Sequence, residues 1–279
     1  MIRNVIRKVI RKVIREVLNF CGDRGACFLG NIYLKISGSP ISFILDDKSY
    51  ITVSSTGPND SNIRSLQISE RGRVMLYQDG LVNRLSQLAE DYHLTNLKFF
   101  DEDVIIDCGA NIGELGAYFN SLKISVKYLA FEPSEREYKC CCRNNPGKDI
   151  RRSGLWRKQD ILKFYVKTDT ADSSLFEIEN YDEIVKVSVQ DLNSIVREEG
   201  FSKIKLLKLE AEGAEPEILE GASDVLDLIE YISVDGGPER GVEEESTLPT
   251  VSNILINRGF ELIAVKPNRL TALFRNTSV

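Results

Sequence analysis

Four acidic residues each close an apolar run in this chain of 279 residues. Asp107 follows Val104-Ile105-Ile106, Glu132 follows Tyr128 to Phe131, Glu210 follows Ile204 to Leu209, and Asp235 follows Tyr231 to Val234. Short branched apolar runs broken by glycine or polar residues read as buried strands. Ligands of an open α/β sheet gather just outside the carboxyl ends of its strands, so four such acids predict one carboxylate-lined rim. Carboxylates there can accept hydrogen bonds from sugar hydroxyls, stabilise a cationic ligand, or take the proton of a reacting hydroxyl. Glu210, Glu212 and Asp235 are the candidates for the last role. His93, the only histidine, ends a helical run, where a structural part is the expected one.

Asp107-Cys108-Gly109-Ala110-Asn111-Ile112-Gly113-Glu114 reads as strand, tight turn and helix, the geometry of a nucleotide loop. Gly109 and Gly113 permit positive φ and close backbone approach, and Asn111 is the residue best able to replace a third glycine. Unpaired N–H groups at the start of the next helix then face a ligand. Glu132 lies 19 residues past Gly113, where a dinucleotide or adenosyl fold puts an acid on ribose hydroxyls. Trp156, the only tryptophan, flanks an adenine ring or fills core. The rim acids suit Mg²⁺ as an alternative ligand, because hard oxygens fit that ion; cysteine and histidine spacing marks no other metal site.

The elements that position these groups alternate as βα units. A helix over Leu81–Leu94 leads into the strand ending at Asp107, and Ser134-Glu135-Arg136-Glu137 resembles a capping box opening another. Strands follow at 161–166 and 185–189. Pro216 suits the first turn of a helix beyond the Lys208 to Glu217 stretch, while Asp235 to Gly241 reads as a mobile loop over a substrate. A helix over 250–257 and an antiparallel hairpin, 260–266 with 270–275, close the chain. Earlier, short strands at 32–36, 41–45, 50–53 and 74–77 predict a small β-rich region. The expected organisation is a basic amphipathic helix at 1–20, the β-rich region at 21–79 and the main domain at 80–279.

The net charge of −6 hides an asymmetry: residues 1–18 carry +5, leaving −11 for the rest, and an acidic body argues against nucleic-acid binding. Residues 2–18 place Ile, Val or Leu at spacings of three and four between Arg3, Arg7, Lys8, Arg11, Lys12 and Arg15. Such a helix lies in an anionic membrane surface, packs on its own core, pairs with a second copy in a homo-oligomer, or serves as a targeting sequence. None of the six cysteines forms a C-x-x-C pair, which indicates reduced thiols in a cytoplasmic protein at most peripheral to the inner membrane face; the adjacent Cys140, Cys141 and Cys142 are expected to pack as small apolar residues on a helix. No apolar run reaches the ~18 residues of a membrane span.

The segments Val104 to Glu114, Phe131 to Pro133, Leu206 to Ala222 and Gly259-Phe260 resemble the FkbM-type S-adenosylmethionine-dependent methyltransferases, over roughly residues 80–276. The resemblance implies an α/β class I methyltransferase (Rossmann-like) sheet of seven strands, the last antiparallel. It implies S-adenosylmethionine as cofactor, for which the residues read above are Asp107, Gly109, Asn111, Gly113 and Glu132, with Trp156 as the candidate beside the adenine. O-methylation of a small-molecule, sugar or glycan acceptor is the implied reaction. Glu210 replaces the family's usual aspartate. The rival readings are an NAD-dependent oxidoreductase, which would normally show a third glycine where this chain has Glu114-Leu115, and a non-catalytic membrane-associated interaction module.

Overall fold

The computed structural model describes residues 22–46, 50–167 and 173–278. The basic segment 2–18 lies outside the described residues. Two compact units divide the chain between Arg84 and Leu85.

In the first unit, α1 (Gly22–Ile36) is followed by β1 (Ile41–Leu45), β2 (Ile51–Ser55) and β3 (Ser65–Ile68), an antiparallel sheet in the order β1-β2-β3. Two expected strands are absent. Residues 32–36 are the last turns of α1, because Leu34 joins Cys27 and Gly30 on a helical face against β1, and helical spacing overrides the β-branched composition. Residues 71–77 form 3₁₀ turns instead of a strand, and β3 is a strand the sequence did not signal. Asp60 accepts from the backbone N–H groups of Leu81 (3.2 Å) and Val82 (2.8 Å) at the start of α2 (Leu81–Asp91).

The second unit is built on β4 (Val104–Cys108), α3 (Glu114–Leu122), β5 (Lys127–Phe131), α4 (Glu135–Asn144), β6 (Asp149–Arg151), β7 (Gly154–Leu155), β8 (Asp160–Val166), β9 (Glu183–Gln190), α5 (Leu192–Glu199), β10 (Ile204–Leu209), α6 (Glu215–Glu220), β11 (Ile229–Asp235), β12 (Pro238–Arg240), β13 (Glu245–Ser246), α7 (Leu248–Asn257), β14 (Phe260–Lys266) and β15 (Thr271–Asn276). Seven strands make one sheet in the order β14-β15-β11-β10-β4-β5-β6. Strands β6, β5, β4, β10 and β11 are parallel, and β15 runs antiparallel between β11 and β14. This is the class I methyltransferase sheet. A smaller sheet, β7-β9-β8, is inserted between β6 and β10.

Side chains alternate across these strands. Ile106, Phe131, Leu207, Leu209, Ile232 and Val234 pack on one face with Ile195, Ile218, Val251 and Leu255 of α5, α6 and α7. The opposite face carries Asp107 and Lys208, buried and directly across from one another in the β4–β10 register. Cys140 and Cys141 are buried on α4, and Cys27, Cys108, Cys140, Cys141 and Cys142 form no disulfide among the described residues.

Candidate active site

Because β5, β4, β10 and β11 are adjacent and parallel, their carboxyl ends bring Glu132, Asp107, Glu210 and Asp235 to one edge. The turn after β4 is left-handed at Gly109 (φ 71°), Asn111 (φ 50°) and Gly113 (φ 81°). Asn111 is stabilised there by its own side chain, whose Oδ1 accepts from Ile112 N at 2.8 Å. A Cβ on Gly109 would overlap the Glu210 carbonyl oxygen, so the turns after β4 and β10 touch through backbone alone.

Glu132 closes the next turn. Its Oε2 accepts from Asn111 N at 2.7 Å and its Oε1 from Ser134 N at 2.9 Å. Ser134 stands at the start of α4 without capping it through its side chain; its hydroxyl is directed at Glu132, so the expected capping box does not form. Burial, then the charge of Glu137, pushes the Glu132 carboxyl up to about 7 against these donors. A carboxylate has about four lone-pair sites; the two amides and the Ser134 hydroxyl take three, so one remains for a ligand hydroxyl.

The neighbouring acids are held by cations. Lys208 Nζ lies 3.0 Å from Asp107 Oδ1 and 2.9 Å from Glu210 Oε2, and it donates to the Gly109 carbonyl at 2.8 Å. The Tyr128 hydroxyl donates to Asp107 Oδ2 at 2.5 Å. Arg269, in the β14–β15 turn, reaches Asp235 at 3.0 Å, Glu210 at 3.5 Å and Asp91 at 3.0 Å. Burial alone would raise Glu210, but Lys208 and the Tyr92 hydroxyl hold its carboxyl at about 2. Asp235 is pushed up by burial and by Glu210 despite Arg269.

The segment after β11 is an ordered β12–β13 hairpin among the described residues, where the sequence suggested a mobile loop. It carries Glu239. A Cβ placed on Gly237 would lie 3.1 Å from Glu239 Oε1 and 3.3 Å from Asp235 Oδ1, so the two carboxyls crowd one glycine. Burial, with Asp235, Glu210 and Glu215 around it, pushes Glu239 up to about 8.

Glu212 is half-buried in the β10–α6 turn with φ 48°, and its carbonyl accepts from Ser174 at 2.8 Å. Trp156 packs beside Phe176, with ring centroids 6.0 Å apart, against the main core cluster. His93 is buried with Nε2 3.2 Å from the Thr271 carbonyl, an acceptor, so that nitrogen carries the proton and the ring pins the helix end to β15.

Sequence reasoning missed Lys208, Arg269, Tyr92 and Glu239. Lys208 did carry a signal: a lysine inside a buried strand requires an acid beside it. Arg269 carried none, since its partners lie far away in the chain.

The carboxylates do not fit Mg²⁺. Their oxygens face the ammonium of Lys208 and the guanidinium of Arg269, and no metal-holding group of three or more His, Cys, Asp or Glu exists among the described residues. S-adenosylmethionine does fit: the left-handed turn, the amide-held Glu132 and the surplus of acids suit ribose hydroxyls and a cationic ligand.

Among curated proteins, 2-O-methyltransferase NoeI of Sinorhizobium fredii is 22% identical over 77% of this chain and 96% of its own length. Methyltransferase 1 of Beauveria bassiana is 26% identical over 61% of this chain and 77% of its own. Among solved structures, a putative tRNA methyltransferase from Streptococcus pneumoniae in complex with S-adenosyl-L-methionine matches with a TM-score of 0.41 at 11% identity, covering 71% of this chain and 73% of that one. The family described as "Methyltransferase FkbM domain" matches residues 107–262, more than half of the sequence. This chain belongs to the FkbM methyltransferase family.

Proposed function

We propose that this protein transfers a methyl group from S-adenosylmethionine to a hydroxyl oxygen of a sugar, glycan or related acceptor. The observation that carries this reading is Glu132, an amide-held carboxylate beside a left-handed turn and next to an acid cluster. Family membership supports methyl transfer, and the name of NoeI, a 2-O-methyltransferase, supports oxygen as the acceptor atom.

When bound, the cofactor supplies an electrophilic methyl on a sulfonium. Gly109, Asn111, Gly113 and Glu132 would hold it, with Glu132 accepting from a ribose hydroxyl; Trp156 belongs to the packing beside Phe176. Asp107 acts indirectly by fixing Lys208 and thereby the β4 and β10 turns. The acceptor hydroxyl must lose its proton as its oxygen takes the methyl, and Glu239, pushed up to about 8, is the carboxylate matched to that task. Glu210, held at about 2, is too weak a base and serves with Asp235 to orient Arg269. General-base assistance of this kind contributes roughly 10²- to 10⁴-fold.

The test is thermal unfolding with S-adenosylhomocysteine and with NAD in parallel. Saturating S-adenosylhomocysteine should raise the midpoint, with a stabilisation of about 2.7 kcal/mol at a hundredfold excess over Kd. Stabilisation by NAD alone would replace this reading with a dehydrogenase, and silence with both would replace it with a non-catalytic module. Transfer of labelled methyl to a panel of glycans then separates oxygen from other acceptor atoms.

A further inference from the structure

Helix α1 is apolar on two sides. One side, Cys27, Gly30 and Leu34, faces β1, and the Asn31 amide locks it there by donating to the Phe43 carbonyl at 2.7 Å and accepting from Phe43 N at 2.9 Å. The other side presents Phe28 (67% exposed), Ile32 (40%) and Ile36 (81%), which fall on one stripe at intervals of four residues, with Leu29 alongside. Ile44 on β1 is exposed as well. A helix with two apolar faces needs a second partner, and the first face already has its own.

We propose that the outer face of α1 docks on an anionic membrane surface. The charge of the chain selects this occupant. Residues 2–18 place six basic residues and one acid among nine Ile, Val and Leu, directly upstream of the stripe. A second copy would bring the same +5 segment against it, whereas anionic headgroups complement the basic residues and the acyl boundary receives Phe28, Ile32 and Ile36. A nucleic acid would neutralise the charge but offers nothing to the exposed apolar stripe. No helix among the described residues is long and apolar enough to cross a bilayer, so contact is with the surface. The inference is independent of the methyl-transfer reading.

The experiment is co-sedimentation of the full chain with phosphatidylcholine vesicles, with and without phosphatidylserine. The protein should partition onto the anionic vesicles and bind neutral ones weaker by roughly tenfold or more, since each basic residue near the surface contributes about fivefold. Phe28→Ser/Ile32→Ser/Ile36→Ser should lower the anionic partition by roughly tenfold or more, as three apolar side chains no longer leave water. Its thermal midpoint should match that of the parent, because all three side chains are already exposed. Replacing the six basic residues by Gln should abolish the preference for phosphatidylserine. Equal partition of parent and triple variant, or no vesicle binding at all, would overturn the proposal. So would a dimer by light scattering that the triple variant converts to monomer, which would assign the stripe to a second copy.

Discussion

Acids on adjacent strands of one sheet edge are held in two different ways. At the ends of β4, β10 and β11, Asp107, Glu210 and Asp235 share Lys208 and Arg269, and Glu210 is held ionised with a pKa of about 2. At the end of β5, Glu132 has amide and hydroxyl donors, and burial lifts it to about 7. Glu239 lies beside Asp235 with further acids around it and rises to about 8. A buried charge paired with an opposite charge fixes structure, whereas one held by dipoles stays responsive to ligand and pH. The clamped region sets backbone positions, and Glu132 and Glu239, raised by burial, are left for chemistry.

The largest test of this division removes the clamp. Lys208→Met leaves the buried Asp107 and the half-buried Glu210 without their shared cation, and breaking a buried pair from one side costs about 3–5 kcal/mol. Urea unfolding should show that loss; a change below about 1 kcal/mol would mean the ammonium is dispensable and the two regions are alike. Gly109→Ala should come next. It combines a left-handed φ with overlap on the Glu210 carbonyl, together roughly 2–5 kcal/mol, and it should also remove stabilisation by S-adenosylhomocysteine.

Dipole-held and cation-held acids should also differ in the sign of their pH dependence. Glu132 binds its proton more tightly when folded. Its contribution is therefore present below the unfolded carboxylate value and lost as pH rises through about 7, on the order of 3 kcal/mol. Glu210 is the reverse: its stabilisation is present above the unfolded value and lost as pH falls through about 2. Glu132→Gln should flatten the stability profile between pH 5 and 8, and Glu210→Gln should not. Binding should follow the same group, because a proton on Glu132 takes the acceptor site left for a ribose hydroxyl. Affinity for S-adenosylhomocysteine should fall roughly tenfold between pH 6 and pH 5 in the parent and stay level in Glu132→Gln. A slope that survives the substitution would show that another group controls binding.

What was legible in the sequence tracks how local each cause is. The βα alternation, the left-handed turn and the four strand-end acids are written in contiguous residues, and the sheet order then puts those ends side by side. The clamp was not legible, because Arg269 meets Glu210 and Asp235 only after β15 inserts beside β11. In the first unit, residues 32–36 have β-branched composition but take the helical spacing that burying Leu34 requires. Glu239 was hidden by a Gly-Gly-Pro context that looked mobile, although the β12–β13 pairing orders it.

The smallest effect belongs to Glu239→Gln, and it is the one that separates a base from a strut. The neutral amide removes a carboxyl crowded against Asp235, so the folded protein should gain about 1 kcal/mol at pH 9, above the value of about 8, and nothing near pH 4, where both forms are neutral. Burial of Glu239 is incomplete, which keeps the gain small. S-adenosylhomocysteine should stabilise the variant as well as the parent, because Glu132 and the 109–113 turn are untouched. Methyl transfer to a responsive acceptor should drop roughly 10²-fold or more, and the parent's rate should rise with pH through about 8. If Glu239→Gln instead keeps that pH profile and its rate, the proton leaves by another route. Asp235, the other carboxyl crowded at Gly237, then becomes the base, and the line between clamped and reactive acids moves one strand inward.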